Sequence, residues 1–244
     1  MLPAPAISRA LAKSRSVTFA MLGSYLWWRG ASVLKHYLLS CINTEDQVLV
    51  NLLILRHGQS EWNAQGRWQG QADPPLTELG ERQAQAAAQQ LLNAEIIFDA
   101  VTSSDLQRAR RTAEILSGAL NVDDFTSFSE FRERSAGPWQ GLTREQIEAS
   151  WPNAIAEQRW PEGYEADHSV AARVLPVLHQ LAETCDRLLL VGHAGLIRAL
   201  DRTSNASDVA ITNHLSGRWY LLQDRLIPLD GADFSGEDLE HELE

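Results

Sequence analysis

Two apolar runs constrain this chain more than any other feature of its sequence. Val48–Leu55 reads VLVNLLIL and Arg187–Val191 reads RLLLV. A strand with one solvated face alternates apolar and polar residues. Runs as uniform as these predict strands covered on both faces, as in a parallel sheet between helical layers. The first run leads into Arg56-His57-Gly58 and the second into Gly192-His193-Ala194. Each histidine thus stands just past the carboxyl end of a central strand, where open α/β sheets bind their ligands.

Around these runs the pattern alternates helix and strand. Thr77 is suited to N-cap a helix over 78–92, rich in Ala, Gln and Leu. Ile96–Ser103 reads as a strand. Asp105–Leu120 reads as a helix with Leu106, Ala109, Ala113, Leu116 and Leu120 on one face. Thr143 and Gln146 form a capping-box pattern for a helix ending near Trp151-Pro152. Val170–Thr184 reads as helical despite Pro176, Leu196–Asp201 as a further helix and Arg218–Leu222 as a late strand. Residues 56–75 form a loop, marked by Gly58, Gly66, Gly70 and Pro74-Pro75. The alternation predicts a three-layer α/β/α sandwich with a mostly parallel central sheet. A chain of 244 residues fits one such domain, expected over 48–229. Residues 230–244 contain no Lys or Arg and read as an acidic disordered tail.

Charge narrows the range of partners. The net charge is −11, yet residues 1–44 carry five basic residues and no acidic one, so residues 45–244 stand at −16. So acidic a body repels nucleic-acid phosphates, and no nucleic-acid partner is expected. A small phosphorylated substrate still binds where a few cations converge. The two cysteines, Cys41 and Cys185, form no CxxC pair, zinc set or disulfide framework, and reduced thiols suit a cytoplasmic protein. Monomer and homodimer both stay open.

Residues 1–47 differ from the rest. Their apolar run, Val17–Trp28, is twelve residues long and too short to span a bilayer. The segment reads as an unstructured extension or as upstream sequence that is not native. Its acid-free, Ser- and Arg-containing composition keeps targeting or membrane contact open as the alternative.

The chemistry-bearing residues converge from three segments. Arg56 and His57 follow the first run, Ser103-Ser104 leads to Arg108, and His193 follows the second run. Arginine forks match the paired oxygens of a phosphate, and the helices starting near 105 and 194 add N-terminal N–H groups. Phosphoryl transfer needs positioning and neutralisation of the equatorial oxygens. Four potentially cationic groups would supply that neutralisation and repel a metal ion, so no metal and no cofactor is expected. Taken singly, each residue also has a plainer role. A histidine at a strand end is commonly a hydrogen-bonded structural residue. Arg108 sits in an Arg108-Arg110-Arg111 cluster that suits a solvated helix face. Glu133 alternates with Arg132 and Arg134 as in a surface ion pair. His214 and Arg198 are assigned structural roles.

Taken together, the segments resemble the histidine phosphatase (phosphoglycerate mutase-like) superfamily. Arg56-His57-Gly58-Gln59-Ser60-Glu61-Trp62-Asn63 is similar to its RHGxSxxN signature. Leu76–Gly80, Ser103–Ala109, Gly137–Thr143 and Val191–Arg198 follow in the family's order, so the resemblance covers about residues 50–222. It implies a nucleophilic His57 that becomes phosphohistidine. It also implies that Arg56, Arg108 and His193 hold the phosphoryl oxygens. Asn63, Gln69, Gly70 and Ala194 would line the substrate site. The family's general acid lies four residues before the glycine of the GxW segment, which here gives Glu133, with Glu130 as the rival if the register slips. One departure stands out: the position before that glycine is usually aromatic or large and apolar, and here it is Ala136. That change is expected to widen the pocket near Glu133.

The resemblance implies a metal-independent phosphomonoester hydrolase, most similar to actinobacterial phosphatases of sugar or glycerate phosphates. Two alternatives remain. A phosphoglycerate mutase would return the phosphoryl group to an organic acceptor, although only 60 positions separate Glu133 from His193, too few for the insertion that glycolytic mutases carry there. A non-catalytic module would bind a phosphorylated ligand in the same pocket.

Overall fold

The computed structural model describes residues 49–208 and 212–235. The chain divides into two units, residues 1–44 and 45–244, and every described residue belongs to the second. The expectations for residues 1–47 lie outside the described residues.

In chain order the elements are β1 (Val50–Arg56), α1 (Glu61–Ala64), α2 (Glu78–Asn93), β2 (Ala100–Ser104), α3 (Gln107–Leu120), β3 (Phe125–Phe128), α4 (Arg144–Ser150), α5 (Asp167–Ala182), β4 (Arg187–Gly192), α6 (Ala194–Thr203), β5 (Ser216–Leu222) and β6 (Leu226–Asp233). The six strands form one sheet in the order β3-β2-β4-β1-β5-β6. Strands β1 to β4 are parallel, while β5 and β6 extend the sheet antiparallel at one edge. The fold is thus the mixed α/β architecture that the uniform apolar runs predict.

Those runs are uniform because successive side chains enter opposite layers. Leu52 and Ile54 pack with Val170, Val174, Leu178, Leu196 and Leu200 from α5 and α6. Leu53 and Leu55 pack with Ala87, Leu91, Ala109, Ala113 and Leu116 from α2 and α3. All four β1 side chains are fully buried, each worth about 1.5–3 kcal/mol relative to exposure. A third, smaller cluster joins Trp139 and Ile147 to Trp68 and Trp151.

Several boundaries depart from the sequence reading. Strand β2 starts at Ala100 instead of Ile96. Before it, Glu95 adopts a left-handed φ of 55° and Ile97 stays 62% exposed, so the chain has not yet joined the sheet. Helix α3 starts at Gln107 instead of Asp105, because the backbone at Leu106 is still extended (φ −65°, ψ 133°). Strand β6 runs to Asp233, four residues into the stretch from Asp230 onward that was expected to be disordered. Its position at the sheet edge explains how it tolerates Pro228 and a polar sequence: an edge strand can leave one row of backbone groups unpaired within the sheet. Residues 236–244 lie outside the described residues. Among the described residues no helix is long and apolar enough to cross a membrane.

Candidate active site

The parallel pairing of β1 with β4 aligns Arg56 with Gly192, and His57 N donates to Gly192 O at 3.1 Å. His57 and His193 are therefore delivered side by side, with ring centroids 5.2 Å apart in an edge-to-face arrangement. Pairing of β2 with β4 sets Ser103 against Val191, so α3 and its Arg108 start from the same edge. A cleft of about 180 Å³ opens there. It is lined by Arg56, His57, Asn63, Gln69, Gly70, Arg108, Glu133 and Ala194, among others.

The turn after β1 depends on a glycine pair. A Cβ on Gly58 would stand 2.4 Å from Gly80 O, and one on Gly80 would stand 2.1 Å from Gln59 O. The RHG and LTELG segments thus touch backbone to backbone. Thr112 reinforces the turn, accepting from Gly58 N at 3.1 Å and donating to Arg108 O at 2.8 Å.

Hydrogen bonds dictate the state of His57. Its Nδ1 faces Gly58 O at 2.6 Å, and a carbonyl can only accept, so Nδ1 carries the proton. Arg108 Nε donates to Nε2 at 3.2 Å, so Nε2 holds a lone pair. Burial first, and then the neighbouring Arg108, His193 and Arg56, hold the His57 pKa well below the ordinary histidine value. The ring is therefore neutral and can act as a nucleophile at Nε2.

Around that atom lie polar groups with unused capacity. Both ring nitrogens of His193 and Nε of Arg56 are buried without a hydrogen-bond partner. Buried polar atoms seldom remain so, and an anion would accept from Arg56 Nε and from the one N–H that a neutral His193 ring carries. Arg56 Nη1 is anchored on Thr212 O at 2.8 Å. Arg108 is fully buried, with Nη1 on Ala72 O at 2.7 Å and Nη2 on Gly70 O at 3.0 Å. Burial is the main cause that lowers both guanidinium pKa values to about 10, so both remain cations.

The remaining expected residues also reach the cleft. Ser60 N donates to Asn63 Oδ1 at 3.2 Å, closing a capping box at α1, so the donor end of the Asn63 amide turns away from Ser60. Gln69 Oε1 accepts from Ser60 Oγ at 2.8 Å. Gly70 has a φ of 52°, and a side chain there would press on Ala136. Glu133 lies at the rim, accepting from Arg134 N at 2.7 Å and from Gly195 N at 2.9 Å. It makes no ion pair among the described residues. Its neighbours Arg132 and Arg134 pair with Asp105 and Asp167 instead. Glu130 does not line the cleft.

One sequence expectation is narrowed here. Part of the N–H supply at the starts of α3 and α6 is already taken: Gln107 N donates to Asp73 Oδ1 at 2.7 Å, and Gly195 N to Glu133. A carboxylate already serves each helix end. His214 keeps the structural role assigned to it, beside the site: its Nδ1 donates to His57 O at 3.1 Å, and its ring lies 6.1 Å from that of His57. Arg67, Arg134, Tyr164 and Arg198 also line the cleft and were not foreseen there.

The family model described as histidine phosphatase superfamily (branch 1) matches residues 52–215. A glucosyl-3-phosphoglycerate phosphatase of Mycolicibacterium vanbaalenii is 40% identical over 163 residues, covering 61% of this chain and 71% of that protein. One from Mycobacterium tuberculosis is 38% identical over 206 residues, covering 75% and 88%. The structure of a mycobacterial glucosyl-3-phosphoglycerate phosphatase complexed with VO3 superposes with a TM-score of 0.63 at 32% identity, covering 74% of this chain and 96% of that one.

Proposed function

The chain belongs to branch 1 of the histidine phosphatase superfamily and is a phosphatase; we propose that it hydrolyses a small phosphate monoester through a phosphohistidine at His57, without a metal ion. The observation that carries this reading is the lone pair on His57 Nε2, held by Arg108 and surrounded by the unsatisfied donors of Arg56 and His193.

In the first step Nε2 attacks phosphorus in line. The N–P bond forms as the P–O bond to the leaving alcohol breaks, and Glu133 gives its proton to the departing oxygen. In the second step Glu133 takes a proton from water, which attacks phosphorus. The N–P bond breaks and inorganic phosphate leaves with the histidine restored. Arg56, Arg108 and His193 hold the equatorial oxygens through both steps. Asn63, Gln69, Gly70 and Ala194 frame the phosphoryl group and the adjoining part of the ester.

We assign the activity to residues 48–233 and the protein to the cytoplasm. Its buried, unpaired Cys185 suits a reducing compartment. The substrate is taken to be a sugar- or glycerate-type phosphate, on the names of the relatives alone.

The test is a rapid quench with a monoester labelled in its phosphoryl group. The quench is alkaline detergent, because the N–P bond is stable in base and labile in acid. Label should appear on the peptide containing His57 before the first turnover completes, and it should be absent from a His57→Asn variant. Steady turnover with no labelled protein at any time would overturn the covalent route. Transfer of label to an organic acceptor instead of inorganic phosphate would favour the mutase. Ligand binding with no turnover would favour the non-catalytic module.

A further inference from the structure

His57 is held by its main chain as well as by its ring. Its N–H donates to Gly192 O at 3.1 Å. Its carbonyl lies beyond both ladders of β1, whose registers with β4 and β5 end at Arg56 and Leu55. A side chain takes the place of a ladder partner: His214 Nδ1 donates to His57 O at 3.1 Å. Burial first, and then Arg56, lowers the His214 pKa to about 4, so the ring is neutral. A neutral imidazole carries one N–H, and here that N–H faces the nucleophile's own carbonyl.

His214 belongs to the connection into β5, which grips the start of the site at three points. Arg56 Nη1 donates to Thr212 O at 2.8 Å, Leu215 N donates to Arg56 O at 3.0 Å, and His214 reaches His57. Residues 212–215 thus hold the side chain of one site residue and the backbone of the next. The connection is strained. Leu215 has a left-handed φ of 56°, although it is a leucine with a fully buried side chain. Residues other than glycine seldom adopt this region. Such strain persists only where neighbouring contacts impose it, and it clusters at active sites. Here the contacts are Leu215 N on Arg56 O, Phe234 N on Leu215 O at 3.1 Å, and Ser216 N and Oγ on Asn213 O at 3.2 and 2.9 Å.

A plainer role for His214 is to fill space. An apolar side chain would do that without desolvating a polar ring. What the histidine adds is the donor on His57 O. Its ring does not line the cleft, so any effect on the reaction passes through His57. We propose that His214 is a positioning residue for phosphoryl transfer: its Nδ1–H, held in the strained connection 212–215, fixes the His57 main chain from outside the cleft and so aims Nε2 at phosphorus. This inference rests on the phosphohistidine reading.

The test is the rate of His57 labelling in a single turnover, with a monoester labelled in its phosphoryl group and an alkaline quench. The amplitude counts folded, competent sites, and the rate constant reports aim. His214→Gln keeps a side-chain N–H, His214→Met has a similar length without a donor, and His214→Ala removes both. A reacting atom misplaced by about 1 Å can slow its step by about 10²-fold. His214→Met and His214→Ala should therefore lower the rate constant about tenfold to a hundredfold, with inhibition by inorganic phosphate unchanged. His214→Gln should recover most of the loss. A fall in amplitude at a parent-like rate constant would reveal a purely structural role and overturn the proposal. Equal rate constants in the Gln and Met variants would overturn it too, since the hydrogen bond would then do nothing. Both results leave the phosphohistidine standing. No label on His57 in the parent protein overturns the phosphohistidine reading, and this inference with it.

Discussion

Arg108 Nε lies 3.2 Å from His57 Nε2 and donates its proton to the lone pair that the proposed chemistry uses. The guanidinium is fixed by two further bonds to Gly70 O and Ala72 O, so it cannot follow the imidazole. In the proposed reaction an arriving phosphoryl oxygen takes over the Nε–H as phosphorus approaches Nε2, so the same N–H would hold the lone pair at rest and neutralise charge in the transition state.

Arg108→Lys removes the fork while keeping a charge. It is expected to lower kcat/KM by about 10²- to 10³-fold, with kcat falling at least as much as KM rises. In Arg108→Gln one cause of the low His57 pKa disappears, so the acid limb of the kcat/KM profile should move to higher pH. A pH–rate profile of parent and variant with one monoester checks both statements.

Gly195 is where Glu133 approaches α6. A Cβ there would lie 2.3 Å from Glu133 Oε1 and 2.9 Å from Arg134 Nε. Gly195→Ala should displace the carboxylate and lower kcat by about tenfold to a thousandfold with little change in phosphate affinity. Turnover measured beside inhibition by inorganic phosphate separates the two effects.

Acid should destabilise the fold from about the ordinary histidine pKa downward. His57 and His193 are held well below that value, and His214 at about 4, each mainly by burial. Between the folded and unfolded pKa values the unfolded chain binds more protons. Stability therefore rises with pH through this window and is lost as pH falls through it. Thermal midpoints measured at pH 7, 6 and 5 should drop progressively, and His214→Asn should flatten the slope.

A buried triad governs stability away from the cleft. Asp201 accepts from the Tyr220 hydroxyl at 2.7 Å and lies 2.9 Å from Arg218 Nε, with all three side chains buried. Asp201→Ala removes one of two carboxylates on the buried Arg218, leaving Asp208 at 3.0 Å, and should cost about 1–3 kcal/mol. Tyr220→Phe should cost about 1–2 kcal/mol. Urea midpoints check the order, and activity per folded molecule should stay near that of the parent.

Activity should survive a strong chelator. Restoration by Mg²⁺ after chelation would contradict the proposed division of labour, in which arginines carry the charge that a metal supplies elsewhere.

The sequence made the core of the fold and the ring around His57 legible for one reason: both rest on local, uniform signals. Runs such as those in β1 and β4 can be covered only on both faces, and the motifs sit where those runs stop. Strand β3, FTSF, and strand β6, LIPLDGAD, were missed because edge strands take their stability from a neighbour and need no apolar period of their own. Arg134, Tyr164 and Arg198 escaped because their place at the cleft is set by long-range contacts. Arg134, for example, spans from Gly195 O to Asp167. The place of His214 beside the site escaped because its partner is a backbone carbonyl, which carries no residue signature.

The hydrogen-bonded register of β1 against β4 acts as a ruler. Because His57 and His193 follow Arg56 and Gly192, partners on one rung of the ladder, the gap between the two imidazoles is set by interstrand spacing and not by any loop. Substitutions along 134–164 can therefore reshape what enters the cleft while the spacing of the two imidazoles stays as it is. In this architecture, change of diet and loss of bite are separable events.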